Sequence, residues 1–462
     1  MNNEPDTRIE RDSMGEVRVP SDRYWGAQTQ RSIEHFPIGA GIETMPAEIV
    51  CAFGILKQAA ARANRQLCPE RMSAEKLEVI EAAAKEVISG SLDGHFPLVV
   101  WQTGSGTHSN MNANEVIANR ANELAGKKLC HPNDDVNMSQ SSNDCFPTAM
   151  HISAVLALEG RLLPAAEHLI EVFKGLEEKY SGIVKSGRTH LQDAVPIAFS
   201  QEISGWRSSL QRDLELLKLA LEPLRETALG ATAVGTGLNA PEGFAALAAA
   251  EISDIAGTRF VPAVNTFHAL TSLDEIVFAH GAVKALASDM MKIANDIRWL
   301  ASGPRNGLGE IRIPANEPGS SIMPGKVNPT QCEQVTMVAL QVMGNDAAIG
   351  FAASQGNFEL NVFLPLVAYN MLQSIRLLSE SISAFTRFCA EGIEPDREAM
   401  KRNLDHSLMS VTALNPYIGY DNAAKAAKHA FENDLTLKEA CVELGLLSAE
   451  KFDELVHPEQ MI

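Results

Sequence analysis

Long stretches with the apolar spacing of α-helices fill the middle of the chain, from about residue 146 to about residue 390. One of them, LQRDLELLKLALEPL, places its leucines at alternating spacings of four and three, as in a helix packed within a bundle. These leucines are Leu210, Leu214, Leu217, Leu221 and Leu224. The stretch at 272–302 predicts one helix of about 45 Å, at a rise of about 1.5 Å per residue. The fold class that follows is mainly α, with a central bundle of long helices.

Two further long helices are predicted over 146–181 and 359–390, and we expect Pro164 and Pro365 to kink them rather than end them. These helices are apolar on more than one face. Because a helix on the surface of a monomer usually has a single apolar face, the bundle is expected to be buried within a larger assembly. The sequence therefore predicts an oligomer.

The chain is too long for one hydrophobic core, and its pattern divides it into three predicted domains. Residues 1–138 form a mostly helical N-terminal domain that includes the strand-like segment EVRVP. Residues 139–391 hold the bundle of long helices. Residues 392–462 form a small helical C-terminal domain, in which the segment LTLKEACVEL follows a capping-box pattern.

Acidic residues outnumber basic ones by 58 to 39, which gives a formal net charge of −19. The chain has no run rich in Lys or Arg, so we do not expect a protein that binds nucleic acid. The overall field would also repel an anionic substrate. Any anion site must therefore create its own positive potential locally.

Seven cysteines are scattered along the chain without a C-x-x-C pair, which predicts free thiols rather than a disulfide framework or an iron–sulfur cluster. The first twenty residues are acidic and lack the apolar segment of a signal peptide. No apolar run is expected to reach the ~18 residues of a membrane-spanning helix. We therefore expect a soluble, cytoplasmic protein with no membrane partner.

Three short motifs suggest other functions but lack the necessary context. GTGLNA, at 235–240, matches a dinucleotide-binding pattern, yet it follows a helix and no βαβ unit surrounds it. GSSIMPGKV has the wrong glycine spacing for a phosphate-binding loop and has Val327 where a Ser or Thr should bind magnesium. His168 and Glu171 share a helix face, but a metal site would need further ligands.

Four polar segments interrupt the helical pattern. They are TGSGTHSNMN (103–112), HPNDDVNMSQSSND (131–144), GRTHLQDAVP (187–196) and EPGSSIMPGKVNPTQCEQ (317–334). Each has an ordinary explanation when taken singly: turns and helix caps for the first two, a structural histidine in the third, and a linker with a solvated lysine for the fourth. We expect the first to be a loop that precedes a short helix from Glu115 to about Ala125.

Together the four segments supply hydroxyl and amide donors, one lysine, one histidine and candidate serine bases, without a cluster of metal ligands. Such donors suit a small dicarboxylate, because they can stabilise negative charge on carboxylate oxygens and because backbone N–H groups at a helix start bind anions. Gly319 and Gly325 would let the segment at 317–334 turn and close over a substrate as a lid.

The same segments, in the same order, resemble those of the class II fumarate hydratases, which belong to the fumarase/aspartase superfamily. GSSIMPGKVNP is similar to the signature loop of that superfamily, and the similarity extends from DSMGEVRVP to HPEQMI at the end of the chain. The loop reads PGK at 324–326, where aspartate ammonia-lyases usually have PAK, and His190 stands where they usually have glutamine. The loop also lacks the PQKKNP-type ending of argininosuccinate lyases.

The resemblance implies a three-domain helical fold and a homotetramer whose active sites each draw on three subunits. It also implies that the chain needs no cofactor and no metal. The implied activity is the reversible, stereospecific hydration of fumarate to L-malate in the tricarboxylic acid cycle, by acid–base catalysis through an aci-carboxylate intermediate.

The resemblance further implies a role for each candidate residue. Ser320 would remove the C3 proton of malate, and His190, paired with Glu333, would activate or deliver water at C2. The substrate carboxylates would be bound by Ser105, Gly106, Thr107, Ser141, Ser142, Asn143, Thr189, Ser321, Lys326, Val327 and Asn328. A second dicarboxylate site would be formed by His131, Pro132, Asn133 and Asp134. The segment at 123–131 is short for a bacterial member, which leaves Lys128 as the candidate basic residue there.

Other functions remain open from the sequence. An aspartase would release ammonia from aspartate, and a hydratase for a methylated fumarate would prefer mesaconate to fumarate. A non-catalytic helical scaffold is a further alternative. A scaffold, however, would not need to keep the five residues Ser320, Lys326, Asn328, His190 and Glu333 together.

Overall fold

The computed structural model describes residues 6–462, and within that range the chain is mainly helical, as predicted. The α-helices are α1 (Ala27–His35), α2 (Ala47–Leu67), α3 (Ala74–Ile88), α4 (Thr107–Ala125), α5 (Ser142–Ala157), α6 (Leu163–Lys179), α7 (Phe199–Leu224), α8 (Phe244–Ala256), α9 (Thr266–Thr271), α10 (Asp274–Leu300), α11 (Thr330–Ala353), α12 (Leu364–Phe388), α13 (Arg397–His406), α14 (Asn415–Ile418), α15 (Tyr420–Asn433), α16 (Leu437–Glu443) and α17 (Ala449–Leu455).

Strands between residues 6 and 462 occur only as two-stranded pairs. They are β1 (Thr7–Asp12), β2 (Gly15–Pro20), β3 (Val184–Thr189), β4 (Gln192–Ala198), β5 (Glu226–Thr227), β6 (Val261–Pro262), β7 (Ile311–Arg312) and β8 (Glu394–Pro395). β1 pairs with β2, β3 with β4 and β7 with β8 in antiparallel fashion, whereas β5 and β6 are parallel. The strand-like segment EVRVP lies in β2, as predicted.

The chain divides into two compact units. One holds the chain up to Pro164 together with Glu215–Ala285 and Leu340–Leu378, and the other holds Ala165–Leu214, Leu286–Ala339 and Ser379–Ile462. The division falls inside α6, α7, α10, α11 and α12, so each of these helices contributes residues to both units. The three-domain division expected from the sequence stays a prediction.

The long central helices form where the apolar spacing predicts them. All five leucines of the predicted seam on α7 are buried. The predicted helix that begins near residue 146 runs through α5, a π-helical turn at Leu158–Leu162 and α6, so the helical backbone continues past Pro164 as expected. Pro365 was expected to kink a helix, and this was wrong. It lies in the first turn of α12, where its missing N–H removes no intrahelical hydrogen bond.

α4 begins at Thr107 rather than at Glu115, so most of the expected loop at 103–112 is helical. The polar residues that suggested a loop are buried and hydrogen-bonded inside the protein. For example, the backbone N–H and the hydroxyl of Ser109 both donate to Oε1 of Gln102, at 3.0 Å each, and Nδ2 of Asn112 donates to the carbonyl of His95. The helical face is therefore polar, which hides its period in the sequence.

Separate hydrophobic clusters stabilise the two ends of the chain. The first packs residues between Val17 and Met138, mainly from α2, α3 and α4. The second packs residues between Leu414 and Phe452, where Thr436 and Glu439 form the predicted capping box at the start of α16. All seven cysteines are free thiols, as expected.

Within residues 6–462, one helix, α11, is long and apolar enough to cross a membrane by length and composition alone. An 18-residue window within this helix has a mean hydropathy of 1.3, and only 33% of the window is buried. A single helix of this kind is weak support for a membrane protein, because the core helix of a soluble protein has the same length and composition.

Asp213, on α7, is 3% exposed and faces the carboxylate of Asp289 on α10. Burial and the neighbouring negative charge raise the pKa of Asp213 to about 7. The folded chain therefore holds this proton up to about pH 7, whereas an unfolded aspartate releases it near pH 3.8. Stability is lost as the pH rises between these two values, because the folded state binds the proton more tightly.

We expect Asp213→Asn to raise the melting temperature more at pH 8 than at pH 5, since asparagine cannot ionise. Thermal unfolding of both proteins at the two pH values measures the difference. The exposed Asp421 provides a control, and Asp421→Asn should shift the melting temperature equally at both pH values. An equal shift for Asp213→Asn would mean that Asp213 ionises normally in the folded protein.

Candidate active site

Ser105, Gly106 and Thr107 form the turn from which α4 begins. Oγ of Ser105 lies 2.9 Å from Oγ1 of Thr107. Gly106 has a φ of +71°, and a Cβ at this position would lie 2.0 Å from the ring of Phe146. Only glycine fits here, because a side chain would be both strained and blocked. The turn places two hydroxyls beside the free backbone N–H groups of a helix start, which is a favourable position for an anion.

Ser141, Ser142 and Asn143 open α5 in a similar way. Ser141 is the N-cap: its Oγ accepts from the backbone N–H of Asn143 at 3.3 Å, and its own backbone N–H donates to Asp144 at 2.9 Å. These bonds form a capping box at a position that the sequence marked as a helix start. Oγ of Ser142 accepts from Nδ2 of Asn110, on α4, at 2.9 Å.

Asp144 joins the start of α5 to the loop that follows β5. Its Oδ2 accepts from the backbone N–H groups of Gly230 and Thr232, at 3.0 and 2.8 Å, and Nδ2 of Asn143 donates to the carbonyl of Ala233. Burial raises the pKa of Asp144 to about 6, and the backbone N–H groups that it accepts from oppose this shift. The carboxylate thus fixes the backbone around one side of the site.

A cavity of about 640 Å³ adjoins this helix start and is lined by Ser141 and Ser142 on one side and by Asn133 and Asp134 on another. Two residues of the predicted main site and two of the predicted second site therefore line the same cavity. Asn133 and Asp134 lie in a π-helical turn at Pro132–Val136, whereas His131 and Pro132 are not among the lining residues. Nδ1 of His131 lies 3.3 Å from Oδ2 of Asp134, and both side chains are exposed.

Arg71 lines this cavity, whereas Lys128, the basic residue expected at the second site, does not. Arg71 lies between α2 and α3, far along the chain from the motif HPNDDVNMSQSSND. No motif surrounds it, so the sequence offered no signal that it belongs here. Its position instead depends on how the turn before α3 packs beside residues 133–142.

Thr189 and His190 lie in the β3–β4 hairpin, which connects α6 to α7. His190 and Leu191 form its two-residue turn, with φ values of +56° and +59°, the geometry of a tight hairpin turn. Both side chains are exposed. The sequence predicted that this segment lies between helices but did not indicate the hairpin.

A buried ion-pair network holds the base of this hairpin. Arg188 donates to both carboxylate oxygens of Glu310, at 3.0 and 2.5 Å, and Nζ of Lys185 lies 3.3 Å from Glu310 and 3.1 Å from Glu202. Although burial raises it, the hydrogen bonds and charges of the two cations hold the pKa of Glu310 below its usual range. The network fixes the backbone immediately before Thr189.

The segment between β7 and α11 is a loop without regular secondary structure, as predicted. Its ends are joined: the backbone N–H of Gly319 donates to the carbonyl of Lys326 at 2.9 Å, and Nδ2 of Asn328 donates to the carbonyl of Gly319 at 2.7 Å. A Cβ at Gly319 would lie 2.5 Å from the Lys326 carbonyl oxygen, and Gly325 has a φ of +82°. Both glycines are therefore required by the backbone.

Ser320 accepts two backbone hydrogen bonds within this loop. Its Oγ accepts from the N–H groups of Ile322 and Met323, at 3.3 and 3.1 Å. Ser321, Lys326 and Val327 are exposed. No carboxylate within residues 6–462 forms an ion pair with Lys326.

A single chain brings the candidate residues together in three places: the starts of α4 and α5, the turn at His190, and the loop that ends at α11. Within the described part of the chain, no hydrogen bond or ion pair joins His190 to Glu333, which is exposed in the first turn of α11. The predicted pair is therefore not formed inside one chain.

Two other groups of reactive side chains lie outside these places. Ser374, His280 and Asp346 form a hydrogen-bonded series, but the serine and the histidine are fully buried, so no substrate can reach Oγ of Ser374. Among residues 6–462, one group has ligand atoms close enough to hold a metal ion, and it consists of His268, Asp274 and Glu275. None of these residues belongs to the predicted site.

The chain matches two protein families: Lyase over residues 15–344, and Fumarase C C-terminus over residues 411–462. It is 60% identical over 459 residues to a protein of Bacillus anthracis named fumarate hydratase class II, covering 98% of each chain. A Helicobacter pylori protein of the same name is also 60% identical, over 460 residues and 98% of each chain.

Solved structures resemble the chain closely. A class II fumarase from Schistosoma mansoni superposes with a TM-score of 0.96 at 44% identity and covers 99% of both chains. A fumarate lyase:delta crystallin from Brucella melitensis, bound to cobalt, gives a TM-score of 0.93 at 41% identity, again over 99% of both chains. These similarities confirm the predicted fumarase/aspartase-like fold.

The turn at Gly106 gives a test of the site geometry. Gly106→Ala and Gly126→Ala both place a side chain at a positive φ on α4, at a cost of about 1–2 kcal/mol each. Only Gly106→Ala also meets the ring of Phe146, since nothing lies within 4 Å of a Cβ at Gly126. We expect Gly106→Ala to lower the melting temperature further and to weaken binding of succinate, measured by calorimetry, at least tenfold. Equal behaviour of the two variants would contradict this account of the turn.

Proposed function

The chain belongs to the class II fumarate hydratases, and on this premise we propose which residues perform each step of its reaction. The protein is a hydro-lyase that catalyses the reversible hydration of fumarate to L-malate. The demanding step in the direction from malate is removal of a C3 proton, because the resulting aci-carboxylate carries two negative charges at one end. Donors fixed around that carboxylate stabilise the charge as it develops.

Ser320 is the proposed base that removes this proton. A serine hydroxyl is a weak base near neutral pH and needs its alkoxide form stabilised by hydrogen bonds and a nearby cation. The single observation that carries the assignment is that Oγ of Ser320 accepts from the backbone N–H groups of Ile322 and Met323. Lys326, in the same loop, would supply the cation.

Lys326 and Asn328 are also proposed to bind the carboxylate beside C3, with help from Ser321 and the backbone at Val327. The exposed ammonium group of Lys326 forms no ion pair with a carboxylate within residues 6–462, which leaves it free to bind a substrate. The loop is proposed to close over the substrate and exclude water, which would strengthen these charge interactions.

His190 is proposed to activate or deliver the water at C2, paired with Glu333 of another subunit. A histidine suits this task because its usual pKa allows it to exchange protons near neutral pH, and a carboxylate partner fixes its tautomer. The exposure of both side chains within one chain supports a pair formed on assembly. Thr189 is proposed to bind the substrate beside His190.

The hydroxyls, amide and backbone N–H groups at the starts of α4 and α5 are proposed to bind the remaining carboxylate oxygens. This group comprises Ser105, Gly106, Thr107, Ser141, Ser142 and Asn143. Because helix starts offer free N–H groups and a positive dipole end, they attract an anion despite the net charge of −19. The second dicarboxylate site at 131–134 is proposed to hold its anion in the shared cavity, with Arg71 as its cation.

The family assembles as oligomers, and we propose that this chain forms a homotetramer whose active sites each combine residues of three subunits. The exposed apolar residues of α11 support this assembly: Met337, Leu340 and Phe351 are 64%, 62% and 76% exposed within one chain. Exposed apolar area of this kind marks interaction surfaces. Seven free thiols also suit a reducing compartment, and we propose the cytoplasm.

Replacement of the proposed base should abolish turnover while leaving binding largely intact. We expect Ser320→Ala to lower kcat about 10²–10⁴-fold, the usual contribution of a positioned acid–base group, with a smaller change in KM. Ser321→Ala, which removes the neighbouring hydroxyl, should change KM more than kcat. The measurement follows the ultraviolet absorbance of fumarate, with enzyme that has been exhaustively chelated.

Full activity of Ser320→Ala in this assay would refute the assignment of the base. Failure of the chelated wild-type protein to convert fumarate to L-malate would refute the metal-free reaction. Parallel assays with aspartate and mesaconate then test the related lyase activities.

Shared active sites predict that two inactive variants can restore each other. His190→Asn and Ser320→Ala homotetramers should each be inactive, but subunit exchange between them should recover activity. Recovery follows because a hybrid tetramer can form a site with His190 from one parent and Ser320 from the other. Each variant taken alone through the same exchange is the control. Hybrid tetramers that are seen by native mass spectrometry but stay inactive would contradict shared sites.

A further inference from the structure

Lys57, on α2, is 0% exposed, yet none of the hydrogen bonds that its ammonium group forms within the described chain goes to a carboxylate. Instead, Nζ donates to three side-chain amide oxygens: Oδ1 of Asn110 at 2.7 Å, Oε1 of Gln140 at 2.9 Å and Oδ1 of Asn137 at 3.0 Å. Three acceptors match the three N–H groups of an ammonium. Burying a cation among neutral groups is costly, so this arrangement invites a functional explanation.

The ammonium of Lys57 dictates how the surrounding amides are oriented, because it can only donate. Each amide turns its oxygen towards Nζ and its nitrogen away. Nε2 of Gln140 consequently donates to the backbone carbonyls of Val136 and Met138, at 3.0 and 2.9 Å. Lys57 thereby fixes the backbone that forms one wall of the cavity at the start of α5.

Asn110 transmits this orientation to Ser142. With its oxygen held by Lys57, Asn110 must present Nδ2 on its other side, where it donates to Oγ of Ser142 at 2.9 Å. Since that bond occupies a lone pair of the hydroxyl, the proton of Ser142 has to point elsewhere. Ser142 lines the cavity of about 640 Å³, so its O–H can donate to an acceptor in the cavity.

The charge of Lys57 acts in the same direction as the bond series. The ammonium lies beneath the start of α5, close to Cys145, whose Sγ is 3.6 Å from Nζ. Burial lowers the pKa of Lys57, and the nearby Cys145 and Asp144 oppose the change. In a chain with a net charge of −19, a buried cation here adds positive potential where an anion has to bind.

We propose that Lys57 is a positioning residue for substrate binding, which acts through Asn110 to make the hydroxyl of Ser142 a hydrogen-bond donor to a dicarboxylate in the cavity. This deepens the proposed function by adding a residue that does not touch the substrate. It relies on that function only for the nature of the ligand, a small dicarboxylate. Binding of unreactive succinate therefore tests it independently of turnover.

The first experiment compares Lys57→Met with Asn64→Ala. Asn64 is a matched control because it is also fully buried on α2 and bonds the same backbone stretch, donating to the carbonyl of Met138 at 2.9 Å and accepting from Ser139 at 2.7 Å. Both variants should lower the melting temperature. Only Lys57→Met should raise the Kd for succinate, by about tenfold or more, because a hydrogen bond to a charged group contributes that much.

A double-mutant cycle with Ser142→Ala separates positioning from general damage. If Lys57 acts through Ser142, Lys57→Met should raise the Kd for succinate several-fold less once Ser142 is alanine, because only the loss of the buried charge then weakens binding. Independent effects would multiply instead, and that result would overturn the proposal. An unchanged Kd in folded Lys57→Met would overturn it as well.

Asn110→Asp provides a second route if Lys57→Met does not fold. The new carboxylate keeps an acceptor for Lys57 but has no N–H to donate, so the proton of Ser142 can turn inward. We expect succinate binding to weaken about tenfold or more in this folded variant, and several-fold less in the Ser142→Ala background, where only the negative charge of the new carboxylate acts. Unchanged binding, or an effect that persists fully without the serine hydroxyl, would contradict the proposal. If the wild-type protein did not convert fumarate, that result would refute the proposed function but not the role of Lys57 in binding succinate.

Discussion

The first backbone N–H groups of a helix have no acceptor within that helix. The candidate site is built from helix starts and turns, where such N–H groups occur. α4 begins at Thr107, after a glycine at a positive φ, and α5 begins at Ser142, after a serine in a capping box. The loop before α11 turns its N–H groups onto Oγ of Ser320. Backbone N–H groups carry partial positive charge, so an acidic protein can attract a dianion with few cationic side chains.

The parts of the fold with a regular apolar period could be predicted from the sequence. The leucine seam of α7 and the length of α10 follow directly from spacing, because side chains three and four residues apart share one face. The start of α4 could not be predicted in this way. Its buried face carries Asn110 and Asn112. In a sequence, asparagine indicates a turn, and the buried groups that it bonds to become known only from the fold.

The candidate site was predictable as a set of segments but not as a set of contacts. Gly106, Ser141 and Ser320 stand where their motifs indicated, since motif residues carry local backbone geometry. Lys57 and Arg71 are different, because their positions depend on tertiary packing across long sequence separations and no short pattern encodes that. His190 and Glu333 share no hydrogen bond or ion pair within residues 6–462, so their predicted pairing stays a proposal about the assembled protein.

The joined ends of the loop at Gly319 have a consequence for the timing of catalysis. Ser320 and the two N–H groups that it accepts lie between the residues that close the loop, Gly319 and Lys326. If this loop moves as a rigid body, Oγ of Ser320 moves together with the N–H groups of Ile322 and Met323 that donate to it. The two hydrogen bonds to the proposed base would thus be formed before the substrate arrives, and the proposed closure would bring the base to the substrate without rebuilding them.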